Sequence, residues 1–266
     1  MTEAKLSDLW LPAESVLAPT RWSVGLWGPA GGGKSHVIVN SCPGPVFIAN
    51  FDRDVSALVK KSGRKDIYIA NLHTAGLVLT DKRAEQLIER FQKALEEVTT
   101  MTEGTFALDG GSAFHHILEQ LELSRLNASQ RKRAAKGKDA ETYEKLPALY
   151  RGGINAQINA MLASISNSPV NFVITHQQRE IWDQTGKPTG EFEPRENTQV
   201  AYGVDMEVRI FSAWTSAKRD PKTKKEIPKM LEHYGRVTMC KHDESVIDTK
   251  IKNPTWEYLV GLMELD

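Results

Sequence analysis

Cysteine is scarce in this chain of 266 residues. Cys42 and Cys240 stand far apart, with no C-x-x-C pair and no metal-ligand spacing, so the chain offers no cysteine framework and suits a reducing compartment. Long apolar runs are missing too. No stretch of about 18 apolar residues occurs, and no apolar segment opens the chain, so the expectation is a cytoplasmic protein with no membrane partner. An excess of one charge is also lacking, since 34 Lys and Arg balance 34 Asp and Glu. Any affinity for nucleic acid must therefore be local. There is no internal repeat. What remains is a composition of 40% hydrophobic and 26% charged residues, ordinary for a globular chain long enough to bury a full core.

Against that background one stretch stands out: Gly28-Pro29-Ala30-Gly31-Gly32-Gly33-Lys34-Ser35. It fits the phosphate-loop pattern G-x-x-x-x-G-K-[ST] without departure. Arg21 to Trp27 before it reads as a buried strand, and His36 to Asn40 after it continues as a helix. Glycines let backbone N–H groups curl around an anion, and the helix N-terminus adds its positive end. Lys34 then reaches the β- and γ-phosphates of a nucleoside triphosphate such as ATP, and Ser35 ligates Mg²⁺.

The rest of the chain alternates. Residues 1–20 read as a short preface, and 21–266 as one domain. Strands are expected at Val46–Ala49, Asp66–Ala70, Thr105–Asp109 and Pro169–Thr175. Between them, Leu87, Ile88, Phe91, Leu95 and Val98 mark one face of a helix over Asp81–Val98. Ala113–Leu123 reads as a second helix, and Ile154, Ile158, Met161 and Ile165 mark a third. Further strands are expected at Met206–Phe211 and Arg236–Lys241, around a lysine-rich hairpin at 218–229. The pattern predicts an α/β fold, a mainly parallel sheet covered by helices, with late strands antiparallel at its edge.

Phosphate-loop chemistry needs a second carboxylate to organise Mg²⁺, and Asp109 at the end of an apolar strand takes that position. Glycine follows it, where many such ATPases carry a water-activating Glu. The carboxylate that orients water must then come from elsewhere: Asp52, with Asp54 in reserve, both after the second strand. The fourth strand ends on Thr175-His176-Gln177, where a polar side chain can sense the γ-phosphate.

These motifs resemble the RecA-like ATPases, and within them the compact phage versions that comprise little beyond the ATPase core. The resemblance runs over roughly 20–260, on the GPAGGGKS loop, FIANF with its following carboxylate, FALDGG, FVITHQQ, DMEVRIF and TKIKNPTWEYL. It implies a catalytic role for Asp52 and a γ-phosphate contact for Gln177, with His176 beside it. The chain departs from the family's Asn-Gln in having His-Gln, and from its Glu in having Asp. The resemblance further implies DNA-contacting loops after the third and fourth strands. The first corresponds to about 123–150 and holds an acid-free basic run: Arg125, Arg131, Lys132, Arg133, Lys136 and Lys138. The second, about 178–198, holds Arg179, Trp182, Lys187, Phe192 and Arg195. Cations neutralise phosphates and aromatics stack on bases. Finally, it implies assembly into a ring or filament in which Lys241, Lys250 or Lys252 of one subunit reaches the ATP of the next.

The leading functional expectation is thus an ATPase acting on single-stranded DNA in recombination or replication, promoting annealing or strand exchange. A single-strand-binding or replication protein is a further candidate partner. The alternatives are a loader or regulatory ATPase whose partner is a protein, and a small-molecule P-loop kinase.

Overall fold

Near-continuous apolar strands fit a parallel sheet covered on both faces, and the computed structural model shows that arrangement. It describes residues 21–52, 55–73, 79–195, 199–215, 218–219, 226–227 and 231–264. The parallel core comprises β1 (Ser23–Gly28), β2 (Val46–Asn50), β3 (Ile67–Asn71), β4 (Thr105–Asp109), β5 (Asn171–Trp182) and β7 (Met206–Trp214). Two antiparallel strands extend it beyond β7: β10 (Leu231–Cys240) and then β11 (Lys250–Lys252). The spatial order is β3-β2-β4-β5-β1-β7-β10-β11. A further strand, β6 (Pro188–Pro194), pairs antiparallel with the end of β5. In the lysine-rich region, β8 (Lys218–Arg219) and β9 (Glu226–Ile227) form a separate two-stranded ribbon.

Two cores flank the sheet, and strand alternation assigns residues to one or the other. One face packs on α1 (Lys34–Ser41), α2 (Ser56–Ser62) and α7 (Trp256–Met263), burying Val24, Leu26, Val46, Ile48, Ala107 and Val173. The other packs on α3 (Asp81–Thr99), α4 (Gly111–Ala134), α5 (Gly152–Ser166) and the short α6 (Gln199–Gly203). Phe51, Phe91 and Phe114 meet there, with ring centroids 4.7–5.6 Å apart.

Two expected elements differ in extent. The helix expected to end at Leu123 continues to Ala134, so Arg125, Arg131, Lys132 and Arg133 lie on its exposed side and the region 123–150 is not simply a loop. Leu126 and Gln130 are buried on the other side of the same turns, which anchors the extension. Asn127 then holds the returning chain, donating to the carbonyl of Tyr143 and accepting from its N–H. The polar stretch after His176 is also not irregular. It is a β-hairpin, closed where Asp183 Oδ1 accepts from the N–H groups of Thr185 and Lys187.

These extensions stand beyond the C-terminal edge of the sheet. The 19 residues of α3 span about 28 Å, against about 17 Å for a five-residue strand. Because α3 delivers the chain to the start of β4, its own first turns overhang the opposite edge. Ser124 of α4 bonds Asp81 at that overhanging end, so the basic end of α4 projects further still.

Candidate nucleotide site

At the C-terminal edge the chain leaves β1 and turns over residues 29–33 into α1. The turn is pinned where Gly32 N–H donates to Pro29 O at 3.1 Å. The turn rests on β7. A Cβ on Gly28 would lie 1.9 Å from the Ile210 carbonyl oxygen, a spacing only glycine permits. His233 of β10 covers the other side, its Nδ1 3.0 Å from both Gly32 O and Ser212 Oγ. Pro29, Ala30 and Gly31 form the outer rim.

The residues after the turn point into a cleft of about 240 Å³ lined by Gly31, Gly33, Lys34, Ser35, Asp52 and Asp109. Lys34 Nζ donates to the carbonyls of Gly28 (3.0 Å) and Pro29 (2.9 Å). Burial lowers its pKa, opposed by the negative charges of Asp109 and Asp52. Ser35 Oγ donates to Asp109 Oδ2 at 2.8 Å, and Thr175 Oγ1 donates to Asp109 Oδ1 at 2.7 Å. Thr175 Oγ1 also accepts from Gly110 N–H at 2.8 Å, so one hydroxyl fixes both the carboxylate and the turn behind it. Burial pushes the Asp109 pKa up; the Thr175 and Ser35 hydrogen bonds hold it down.

Ser35 and Asp109 are hard oxygen donors on adjoining elements, which suits Mg²⁺. Among the described residues no cluster of three or more His, Cys, Asp or Glu could hold a metal ion.

Other expected residues separate. Gln177 shares the loop face with Thr175 by strand alternation and pairs in register with Gly28. Its backbone is fixed twice: its N–H donates to Ser112 Oγ (3.0 Å) and its carbonyl accepts from Arg195 N–H (2.6 Å). His176 does not join the cleft. The same alternation turns its ring to the other face, where a Cβ on Gly111 would lie 2.5 Å from Cε1. Asp54 lies outside the described residues.

Lys241 lies at the opposite edge of the sheet from the chain's own phosphate turn, because antiparallel β10 ends beside the start of β7. Its Nζ donates to the Tyr202 carbonyl at 2.6 Å. Lys252 pairs with Glu232 at 2.7 Å. Lys136 and Lys138 follow α4, and all six cations of the basic run are exposed. Arg179 is paired with Glu193 at 2.6 Å, whereas Trp182 is 60% exposed near the hairpin turn.

Sequence reading missed Arg209, which lies within 5.8 Å of the ring centroids of Trp27, Phe192 and Phe211 and donates to Gln178 Oε1 at 3.2 Å. It joins the β5–β6 hairpin to the strand that feeds the phosphate turn. A hollow of about 200 Å³ between His36, His233 and Pro254 was missed as well.

No family model matches the sequence, and no curated protein is similar to it. Among solved structures the fold is similar to that of a KaiC-like protein from the hyperthermophilic archaeon Pyrococcus horikoshii OT3. That likeness has 10% identity and a TM-score of 0.43 over 87% of this chain and 84% of that one. It is also similar to an ATPase from the type III secretion system of pathogenic bacteria, with 10% identity and a TM-score of 0.40 over 71% of this chain and 51% of that one. Among the described residues no helix is long and apolar enough to cross a membrane.

Proposed function

We propose that this chain is a Mg²⁺-dependent, RecA-like ATPase of the cytoplasm that acts on single-stranded DNA. The observation that carries the ATPase reading is the convergence of Lys34, Ser35, Asp109 and Asp52 on one cleft under a glycine turn, with Thr175 bonded to Asp109 behind it. Backbone N–H groups of the turn and Lys34 hold the triphosphate. Ser35 and Asp109 hold the ion, which supplies charge neutralisation on the phosphates. Asp52 orients the attacking water and takes its proton. Gln177 contacts the γ-phosphate and reports its loss to the hairpin through the Arg195 hydrogen bond. The hollow beside His36 offers the nucleobase an apolar wall.

Support for DNA comes from the basic end of α4 and the exposed Trp182, both on the edge of the sheet that carries the nucleotide. Cations there neutralise phosphates and the indole stacks on a base. The biological act would be annealing or strand exchange, by subunits assembled around shared ATP sites.

The test is ATP hydrolysis with and without single-stranded DNA across a salt series, alongside sizing with a non-hydrolysable ATP analogue. The expected result is stimulation and assembly that depend on DNA. Arg131→Glu with Lys132→Glu and Arg133→Glu should abolish stimulation and leave DNA-independent hydrolysis intact. Hydrolysis indifferent to DNA at low salt, with co-purification of a replication protein, would replace this reading with that of a loader.

A further inference from the structure

Asn50 closes β2, in register with Asn71 of β3 on one side and Asp109 of β4 on the other. Val46 and Ile48, four and two residues earlier, lie in the core beneath α1, so the Asn50 amide faces that side as well. Asp109 projects from the same face, two residues after Ala107 of the same core. The Asn50 backbone is satisfied, its carbonyl accepting from Leu72 N–H at 2.8 Å. The side chain is not. It is 0% exposed, and neither Oδ1 nor Nδ2 has a hydrogen-bond partner among the described residues. The neighbouring carboxylate is bonded at both oxygens.

A buried amide with both polar atoms unpaired is destabilising, and an apolar residue of similar size would remove that cost. The preceding positions on this face of β2 are apolar. An amide at this place therefore calls for a partner, and its in-register neighbour Asp109 lines the cleft.

We propose that Asn50 is a positioning residue for hydrolysis: its amide holds a water molecule between Asp109 and Asp52 when nucleotide binds. This rests on the reading of the cleft as an ATPase site. Oδ1 accepts one hydrogen of the water and leaves the other directed to Asp52. Nδ2 is a donor among acceptors, where the negative charge of Asp52 already disfavours the ionised form of Asp109. A third carboxylate would add to that repulsion; a neutral amide orders water without it.

The experiment compares wild type, Asn50→Leu and Asn50→Thr by thermal melting, by binding of a fluorescent ATP analogue in Mg²⁺, and by steady-state hydrolysis. The Leu variant should melt at or above the wild-type temperature, bind nucleotide within about twofold, and lose about tenfold or more in kcat with KM unchanged. The Thr variant, which restores a donor and an acceptor, should recover part of kcat. Wild-type kcat in the Leu variant overturns the proposal. So does a loss of kcat that accompanies a lower melting temperature and weaker binding, which would make Asn50 structural. A wild type that binds no nucleotide overturns the ATPase reading itself, and this inference with it.

Discussion

A Cβ on Gly110 would lie 2.7 Å from the backbone nitrogen of Asp52. Gly110 also has φ +100°, in the region that disfavours L side chains. The position after Asp109 is thus closed to Glu by the approach of the very segment that carries the alternative carboxylate. Gly110→Ala should lower stability by about 2 kcal/mol or more, read as a fall in melting temperature. A Gly110→Glu variant that melts normally and hydrolyses ATP faster would show that the position is open after all.

Thr175→Val keeps shape and removes the hydroxyl shared by Asp109 and Gly110. Both lose a partner in a buried place, so the expected cost is about 1–3 kcal/mol, with slower hydrolysis. Thr175→Ser should preserve both. Urea unfolding and kcat of the three proteins, measured together, check this.

Lys34→Ala removes a buried cation whose present partners are two loop carbonyls. The fold should survive, while nucleotide affinity falls at least about tenfold. Where nucleotide forms part of a subunit interface, assembly falls with it. Sizing with a non-hydrolysable analogue reads that out, and normal assembly in the variant would count against a shared site.

Arg64 closes the C-terminal end of α1, donating to the carbonyls of Val39 (3.2 Å) and Cys42 (2.8 Å) while gripping Asp66 at 2.6 and 3.0 Å. Its hydrogen bonds hold the Asp66 carboxyl below its ordinary 3.8. A lowered carboxylate pKa contributes stability that is complete above the ordinary value and lost as pH falls through the lowered one. Asp66→Asn should therefore be less stable than wild type at pH 6 and approach it below about pH 4, with high salt narrowing the gap. Thermal melts across pH 2–7 test the sign.

Much of the site was legible because it is local. The phosphate turn is one contiguous string, and Asp109 ends an apolar run of the right length. The sheet was legible for the same reason. What escaped depends on partners distant in sequence. Arg209 meets Phe192 and Trp27 only once β7 lies beside β1, and α2 has no apolar face fully buried to announce it. The hairpin after β5 carries polar residues that loops also favour, and only its ladder distinguishes it. The placing of His176 was recoverable: period-two alternation counted back from Gln177 turns it away from the cleft.

The contact between Gly28 and Ile210 has a mechanical meaning. Backbone meets backbone there, so a displacement of β7 is passed directly to the turn. The β7–β10 ribbon runs on to Trp214 and Leu231, paired at its far end. A load applied there arrives at the turn without passing through a side chain. By reciprocity, were nucleotide to alter how a partner grips that end, the partner would alter nucleotide affinity by the same factor.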